Sequence, residues 1–184
     1  MHHLYSHQDY EAFVFLDLDG VMTSNNYIIN IHNTFIRDKE FPNHHYKNFM
    51  TQYCFQQEGV VFLNELAKNF KYAIIISSTR RYEFSPEEWN FIFRLNGIHV
   101  PVIGTTYKTV YSNLREDEIE EYREINHIQN IPFIAIDDDI FDLKTLNQEN
   151  KLIKVDTKEG LTVFYLRQAI NLLNQQKEEL KNGK

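Results

Sequence analysis

An apolar run that stops at two acids is the feature that most constrains the fold of this chain. The run Phe13-Val14-Phe15-Leu16 is followed directly by Asp17-Leu18-Asp19-Gly20. Such a run is typical of a strand buried in a parallel sheet. Ligands of open α/β sheets collect at the carboxyl ends of the strands, and residues two apart on a strand point the same way. The sequence therefore predicts an α/β fold in which Asp17 and Asp19 share one site.

Two later apolar runs also end in polar residues. Residues 72–76 lead into Ser77-Ser78-Thr79-Arg80, and residues 132–136 lead into Asp137-Asp138-Asp139, with Asp142 after them. Repulsion among three adjacent acids raises their pKa values and costs stability unless a cation is present. Magnesium is a hard cation that binds through one or two carboxylates, water and phosphate. The acids at 137–139 therefore predict a magnesium site.

Strand and helix patterns alternate along the chain. Further strands are predicted at 99–104, where Pro101 favours an edge position, and at 151–155. Helices are predicted from residue 58 to about 70, from a capping box at 85–88 to about 95, from 115 to about 128, and from 161 onward. Residues 27–31 are predicted as a short strand or flap, and Trp89 as a core or half-buried residue rather than a binding platform. These elements predict a three-layer α/β/α Rossmann-like domain with a mostly parallel sheet over residues 12–175, a flexible segment over 1–11, and a polar helix end or linker over 176–184.

Composition limits the function classes. The 184 residues are 42% hydrophobic, which suffices for one domain with a sizeable core. A net charge of −7 without a long basic run argues against a non-specific nucleic-acid binder. The single Cys54 excludes an internal disulfide and suits a reducing compartment, the cytoplasm, unless a route without a signal peptide exports the chain. No apolar run is long enough to span a membrane.

Four of these segments resemble motifs of the haloacid dehalogenase (HAD) superfamily of phosphotransferases. Asp17-Leu18-Asp19-Gly20-Val21 resembles the first motif, Ser77 at its strand end the second, a basic residue before the fourth strand the third, and Asp137-Asp138 the fourth. More narrowly, residues 76–80, 115–119, 136–138 and 160–162 resemble the HAD phosphatase domain of Swiss-army-knife RNA-repair proteins. That branch tends to carry Trp-Arg where this chain has Thr79-Arg80.

The resemblance implies a magnesium-dependent phosphatase. Asp17 would be the nucleophile that forms an aspartyl-phosphate, since an ionised carboxylate attacks phosphorus without a partner base. Asp19 would protonate the leaving group and then activate water. The resemblance implies that Asp138 binds Mg²⁺ directly, that Asp137 is either a ligand or an acid behind the ligands, and that Asp139 or Asp142 supports them. A carboxylate oxygen of Asp17 and the backbone carbonyl of Asp19 would also bind the ion.

The same resemblance implies residues that hold the phosphate. Ser77, or Ser78 as the alternative, would bind a phosphoryl oxygen. Arg115 at a helix start, or Lys108 in the preceding loop, would neutralise phosphate and nucleophile. The guanidinium of Arg80 would add a forked contact to the substrate phosphate.

The spacing of the motifs leaves no room for a full cap domain, so we expect an open site. An open site favours a phosphate carried on a macromolecule, either a protein, with phosphotyrosine as one candidate, or a nucleic-acid 3′ end. A non-catalytic phosphate-binding module on the same fold is the alternative of another class. Further candidate substrate contacts are the basic residues of the long segment 23–57, namely Arg37, Lys39, His44, His45 and Lys47.

Overall fold

The computed structural model describes residues 6–37, 53–110 and 112–183. Its strands are β1 (Ala12–Leu16), β2 (Tyr72–Ile76), β3 (Val102–Thr105), β4 (Phe133–Asp137) and β5 (Leu152–Lys154). Its α-helices over these residues are α1 (Asn25–Arg37), α2 (Gln57–Leu66), α3 (Pro86–Leu95), α4 (Arg115–Ile125), α5 (Lys144–Gln148) and α6 (Leu166–Lys181). Short 3₁₀ helices cover His7–Asp9, Thr79–Tyr82 and Val163–Tyr165.

The five strands form one parallel sheet in the order β3-β2-β1-β4-β5. Leu16 of the central strand is level with Ile76 of β2 and Ile136 of β4. The strand order reverses beside β1, and such a switch point opens a crevice at the carboxyl ends of the strands. The residues that follow these three strands therefore meet in one row at that crevice. The expected parallel α/β architecture and the edge position of β3, directly after Pro101, are confirmed.

Side chains of β1 alternate between two apolar layers. Val14 and Leu16 pack into a cluster that includes Trp89 of α3 and Leu173 of α6. The intervening side chains, with Phe15 among them, pack into a second cluster that includes residues of α4 and α5. Burial on both faces explains why the strand is apolar at every position. The three layers are as predicted, and Trp89 is fully buried, which confirms it as a core residue.

The prediction of a strand or flap at residues 27–31 is wrong, because these residues lie inside α1. The Ser24 hydroxyl oxygen accepts a hydrogen bond from the backbone N–H of Tyr27 at 3.2 Å, which caps the helix. The backbone N–H groups of Asn25 and Asn26 donate to the carbonyl oxygens of Thr157 and Lys158, at 3.0 and 3.1 Å. These distant partners satisfy the first turn of the helix and override the β propensity of the isoleucines.

Hydrogen bonds and short helices mark the two ends of the domain. The N-terminal segment is docked where it is described: His7 Nε2 lies 2.9 Å from the Tyr122 hydroxyl, and the Glu11 N–H donates to the Lys71 carbonyl at 2.7 Å. The last helix begins at Leu166 rather than near 161, because a turn and a 3₁₀ helix come first. Lys39, His44, His45 and Lys47, and the side chain of Arg37, lie outside what the structure describes. A search of the described helices finds none with the length and apolar character that a bilayer crossing requires.

Candidate active site

Three carboxylates meet at the crevice beside β1. Asp17, Asp137 and Asp138 each offer one oxygen, and these oxygens lie within 4.8 Å of one another. Asp17 follows β1 directly, while Asp137 ends β4, and the two residues are 5% and 2% exposed. Two of the three acids are thus held away from water, where like charges repel strongly.

Arg115 balances part of this negative charge. It is the first residue of α4, and its Nη1 lies 3.3 Å from Oδ1 of Asp17 and contacts Oδ2 of Asp137. The alternative basic residue, Lys108, is exposed and forms no ion pair within the part of the chain that the structure describes. The structure therefore places Arg115, and not Lys108, against the expected nucleophile.

The environment of the two buried acids favours their protonated forms. Burial, reinforced by the charge of Asp137, raises the pKa of Asp17 to about 7, against the opposing effects of Arg115 and of a hydrogen bond from Ser78. Burial likewise raises the pKa of Asp137 to about 6, although Arg115 and the backbone of Asp139 oppose the change. A cation bound among these carboxylates would reverse the effect, because positive charge favours the ionised form.

Two residues, Gly20 and Thr157, lie next to the Asp138 carboxyl group. Gly20 has a φ of +78°, and a Cβ at this position would lie 2.6 Å from the carboxyl carbon of Asp138. The Thr157 hydroxyl donates to Oδ2 of Asp138 at 2.8 Å. Within the described residues, Oδ1 of Asp138 receives no hydrogen bond. This carboxylate is thus fixed in orientation with one oxygen available.

Asp19 lies on the exposed side of the same turn. Its side chain is 58% exposed, and Oδ1 accepts a hydrogen bond from Arg80 Nη1 at 3.3 Å and one from the Thr23 hydroxyl at 3.4 Å. The turn is closed by backbone bonds from Met22 and Thr23 to the Leu18 carbonyl oxygen, at 2.8 and 3.1 Å. The carboxylate of Asp19 therefore faces solvent next to the buried cluster, although it is not one of the three clustered acids.

The guanidinium of Arg80 is hydrogen-bonded to two neighbouring carboxylates. Its Nε and Nη2 donate to the Glu83 carboxylate at 3.1 to 3.2 Å, and Nη1 contacts Asp19. The guanidinium lies over the rings of Tyr53 and Trp89, with its carbon 5.0 and 5.8 Å from the ring centroids. Arg80 thus contacts Glu83 and Asp19 and is only 8% exposed, and its forked contact to a substrate phosphate stays a prediction.

The two serines after β2 have different surroundings. Ser77 stands in the same row as Asp17, and its hydroxyl is buried without a hydrogen-bond partner among the described residues. The hydroxyl oxygen of Ser78 accepts a hydrogen bond from the backbone N–H of Arg80 at 3.3 Å. Ser78 also hydrogen-bonds Asp17, which lowers the pKa of that acid. Both serines lie at the crevice, so the structure leaves both alternatives in place.

Sequence reasoning missed three residues that the structure brings to the site. Arg81 and Glu118 form a buried ion pair between the loop after β2 and helix α4, and Thr157 contacts Asp138. Glu118 lies within the motif segment 115–119, and Thr157 lies just before the segment 160–162. The resemblance of these two segments to family motifs was the sequence signal for Glu118 and Thr157. A motif match does not show which side chains contact each other.

The acids present fit a hard divalent cation. Three clustered carboxylate oxygens, one of them on an oriented acid with a free oxygen, are the donor type that Mg²⁺ prefers. Of the sequence-predicted ligands, Asp17, Asp137 and Asp138 lie in the cluster, and Asp19 is in the adjoining turn. The nature of the ion is a prediction from this donor set.

The chain is similar to known proteins in sequence and in structure. The sequence profile of the family described as "HAD domain in Swiss Army Knife RNA repair proteins" matches residues 13–164. Among solved structures, the chain is similar to a haloacid dehalogenase-like family hydrolase from Streptococcus pneumoniae. The two share 16% sequence identity with a TM-score of 0.48, and the match covers 94% of this chain and 98% of that one. No curated protein matches the chain.

Proposed function

This chain belongs to the family of HAD domains found in Swiss Army Knife RNA repair proteins, and on that premise we propose that it is a magnesium-dependent phosphatase acting through an aspartyl-phosphate. Family membership supports a phosphatase-type hydrolase. The observation that carries the finer proposal is the contact of Arg115 with both Asp17 and Asp137 inside a cluster of three acids. This arrangement supports attack on a phosphoryl group by the buried carboxylate of Asp17 and neutralisation of that group by Arg115.

The first half-reaction forms the covalent intermediate. A carboxylate oxygen of Asp17 bonds to phosphorus while the bond from phosphorus to the ester oxygen breaks. Asp19, in its protonated form, gives its proton to that departing oxygen, and its 58% exposed side chain can reach a group outside the crevice. Arg115 and the serine hydroxyls stabilise charge on the phosphoryl oxygens.

The second half-reaction hydrolyses the aspartyl-phosphate and regenerates the free enzyme. The Asp19 carboxylate removes a proton from water, the water oxygen bonds to phosphorus, and the aspartyl–phosphorus bond breaks to release inorganic phosphate. Asp17 is then ionised again, and Asp19 is protonated for the next cycle. The ion, when bound by Asp17, Asp137 and Asp138, supplies positive charge that favours the ionised carboxylate of Asp17 and neutralises the phosphate.

The substrate proposal is a phosphate carried on a macromolecule. The family description, RNA repair, favours a nucleic-acid 3′-phosphate as the first candidate. Tyr82 and Tyr107 support it, since both follow the carboxyl ends of strands and are 60% and 44% exposed. Arg81 lies over the Tyr82 ring and Tyr122 stacks on Tyr107, so each tyrosine would offer its remaining exposed ring surface to a base. The net charge of −7 is the observation that favours a protein phosphotyrosine instead.

The test measures phosphate release from a 3′-phosphorylated oligonucleotide and from a phosphotyrosine peptide, with magnesium and with a chelator. Wild type is compared with Asp17→Asn and with Asp9→Asn, an exposed control near the opposite end of β1. Release that requires magnesium and is lost only in Asp17→Asn is the expected result, and the preferred substrate selects the class. A folded wild type that binds either substrate without releasing phosphate would contradict the proposal and favour the non-catalytic binding module.

A further inference from the structure

We propose that Thr157 is a positioning residue for Asp138, one of the proposed metal ligands. Hydrogen bonds between the Thr157 loop and the turn after β1 keep Thr157 in place. The inference rests on the proposed function, because it concerns the magnesium site of that phosphatase. Thr157 lies two residues after Val155, whose N–H extends the β5 ladder by donating to the Asp137 carbonyl oxygen at 3.0 Å. Because β5 pairs with β4 in this register, Thr157 lies beside Asp138.

The contact between Thr157 and Asp138 restricts one carboxylate oxygen. The Thr157 hydroxyl donates to Oδ2 at 2.8 Å, and Gly20, which has no Cβ, leaves the space that the carboxyl group occupies. A carboxylate that rotates freely must lose that freedom when it binds an ion. Partners that orient a metal-binding carboxylate in advance therefore strengthen binding, typically by about 10- to 100-fold.

The loop that carries Thr157 is fixed at both ends. Asp156 accepts hydrogen bonds from the N–H groups of Lys158, at its side chain, and Gly160, at its carbonyl, both at 2.7 Å. The Leu161 N–H donates to the carbonyl oxygen of Val21 at 2.8 Å, which ties the loop to the turn that holds Asp19. A loop without these bonds would not hold a side chain at a set distance from Asp138.

The side chain of Gln56 also holds this loop in place by hydrogen bonds. Its Nε2 donates to the carbonyl oxygens of Glu159 and Leu161 at 3.0 and 2.9 Å, and its Oε1 accepts from the Ser24 N–H at 3.4 Å. Gly160, with a φ of +72°, leaves the space that this amide fills, since a Cβ there would lie 2.5 Å from Gln56 Nε2 and 2.6 Å from the Val21 carbonyl oxygen. The segment 160–162, singled out in the sequence without a role, thus serves the metal site through this loop.

The experiment measures Mg²⁺ binding by isothermal titration calorimetry on the full chain. Thr157→Val removes the hydroxyl and keeps the shape, and Thr157→Ser restores a hydroxyl. Thr145→Val is the matched control, because the Thr145 hydroxyl also donates to a carboxylate, that of Glu116 at 3.0 Å, but not to one of the clustered acids. We expect Thr157→Val to weaken Mg²⁺ binding about 10-fold or more, and the other two variants to stay close to wild type.

A second measurement separates positioning from general damage. Phosphate release by Thr157→Val should need more Mg²⁺ for half-maximal rate, with the rate at saturating Mg²⁺ largely recovered. Equal Mg²⁺ affinity in wild type and Thr157→Val would overturn the inference and leave the proposed phosphatase intact. A wild type that binds no Mg²⁺ would overturn both, so the two failures are distinguishable.

Discussion

Arg81 donates from Nη2 to the Glu118 carboxylate at 2.6 Å, and the two side chains are 7% and 9% exposed. The same guanidinium donates from Nη1 to the Ser78 carbonyl oxygen at 2.9 Å. Glu118 lies one turn after Arg115 on α4. The ion pair therefore joins the loop that bears the candidate phosphate-binding serines to the helix that presents Arg115.

Breaking this buried pair should destabilise the fold strongly. Either Arg81→Met or Glu118→Gln leaves a buried charge without its partner, and we expect a loss of about 3 kcal/mol in the free energy of unfolding. Urea denaturation measures the loss. The control is Lys68→Met at the ion pair with Glu65, whose side chains are 69% and 39% exposed, where less than about 1 kcal/mol is expected. Similar losses at the two sites would contradict a structural role for Arg81 and Glu118.

Arg115, and not Lys108, should be the basic residue of the reaction. Arg115→Met removes the cation that contacts Asp17 and Asp137. We expect it to lower kcat by about 100-fold, in line with the loss of one charge-stabilising donor. Lys108→Met, which removes an exposed charge, should change kcat far less. Steady-state phosphate release from one substrate measures both variants, and a larger loss in Lys108→Met would reverse the assignment.

The strand ends of the site could be predicted from the sequence because buried parallel strands are apolar at every position. Three apolar runs lead into Asp17, Ser77 and Asp137. Once these strands pair in parallel, the three residues lie side by side at the carboxyl edge of the sheet. The contact between Arg80 and Glu83 is also local, since the two residues are three apart. This ion pair was nevertheless not predicted, because spacing alone does not show which carboxylate an arginine contacts.

Contacts between distant segments could not be predicted in the same way. The helical state of residues 27–31 depends on carbonyl oxygens of Thr157 and Lys158, about 130 positions away in the chain. The hydrogen bond from Thr157 to Asp138 depends on the register of β5 against β4. Neither apolar periodicity nor a capping signal carries information about such partners.

The metal-free protein should become less stable as pH rises from about 4 to about 7. The pKa of Asp17 is raised to about 7 and that of Asp137 to about 6, above the ordinary value of 3.8, mainly by burial. In this interval the folded state binds more protons than the unfolded state, so the free energy of unfolding falls, by up to about 1.4 kcal/mol per pH unit for each excess proton.

Urea denaturation in a chelator at several pH values checks this dependence. Asp17→Asn should flatten the fall between about pH 5 and 7, because the substituted amide does not titrate. Adding Mg²⁺ should stabilise wild type most at the upper end of the range, where both acids are ionised. An unfolding free energy that rises with pH across the interval, in wild type relative to Asp17→Asn, would contradict the raised pKa values.

Gly20→Ala should impair metal binding beyond its effect on stability. Gly20 and Gly97 have similar φ angles, +78° and +81°, so alanine at either position strains the backbone, by about 1 to 2 kcal/mol. Only at Gly20 would the new Cβ displace the Asp138 carboxylate, since the nearest atom at Gly97 is 4.0 Å away. Calorimetric titration with Mg²⁺ should show a loss in Gly20→Ala and little change in Gly97→Ala. Equal Mg²⁺ affinities in the two variants would show that Asp138 tolerates the displacement.

The covalent role of Asp17 is the central claim, and chemical trapping tests it most directly. Wild type turning over a phosphomonoester with Mg²⁺ is quenched with borohydride, which reduces an acyl phosphate to an alcohol, and the peptide that contains Asp17 is examined by mass spectrometry. We predict reduction at Asp17 only when substrate and Mg²⁺ are both present, and none in Asp17→Asn. Turnover without a trapped product at Asp17, or trapping at another acid, would contradict the account.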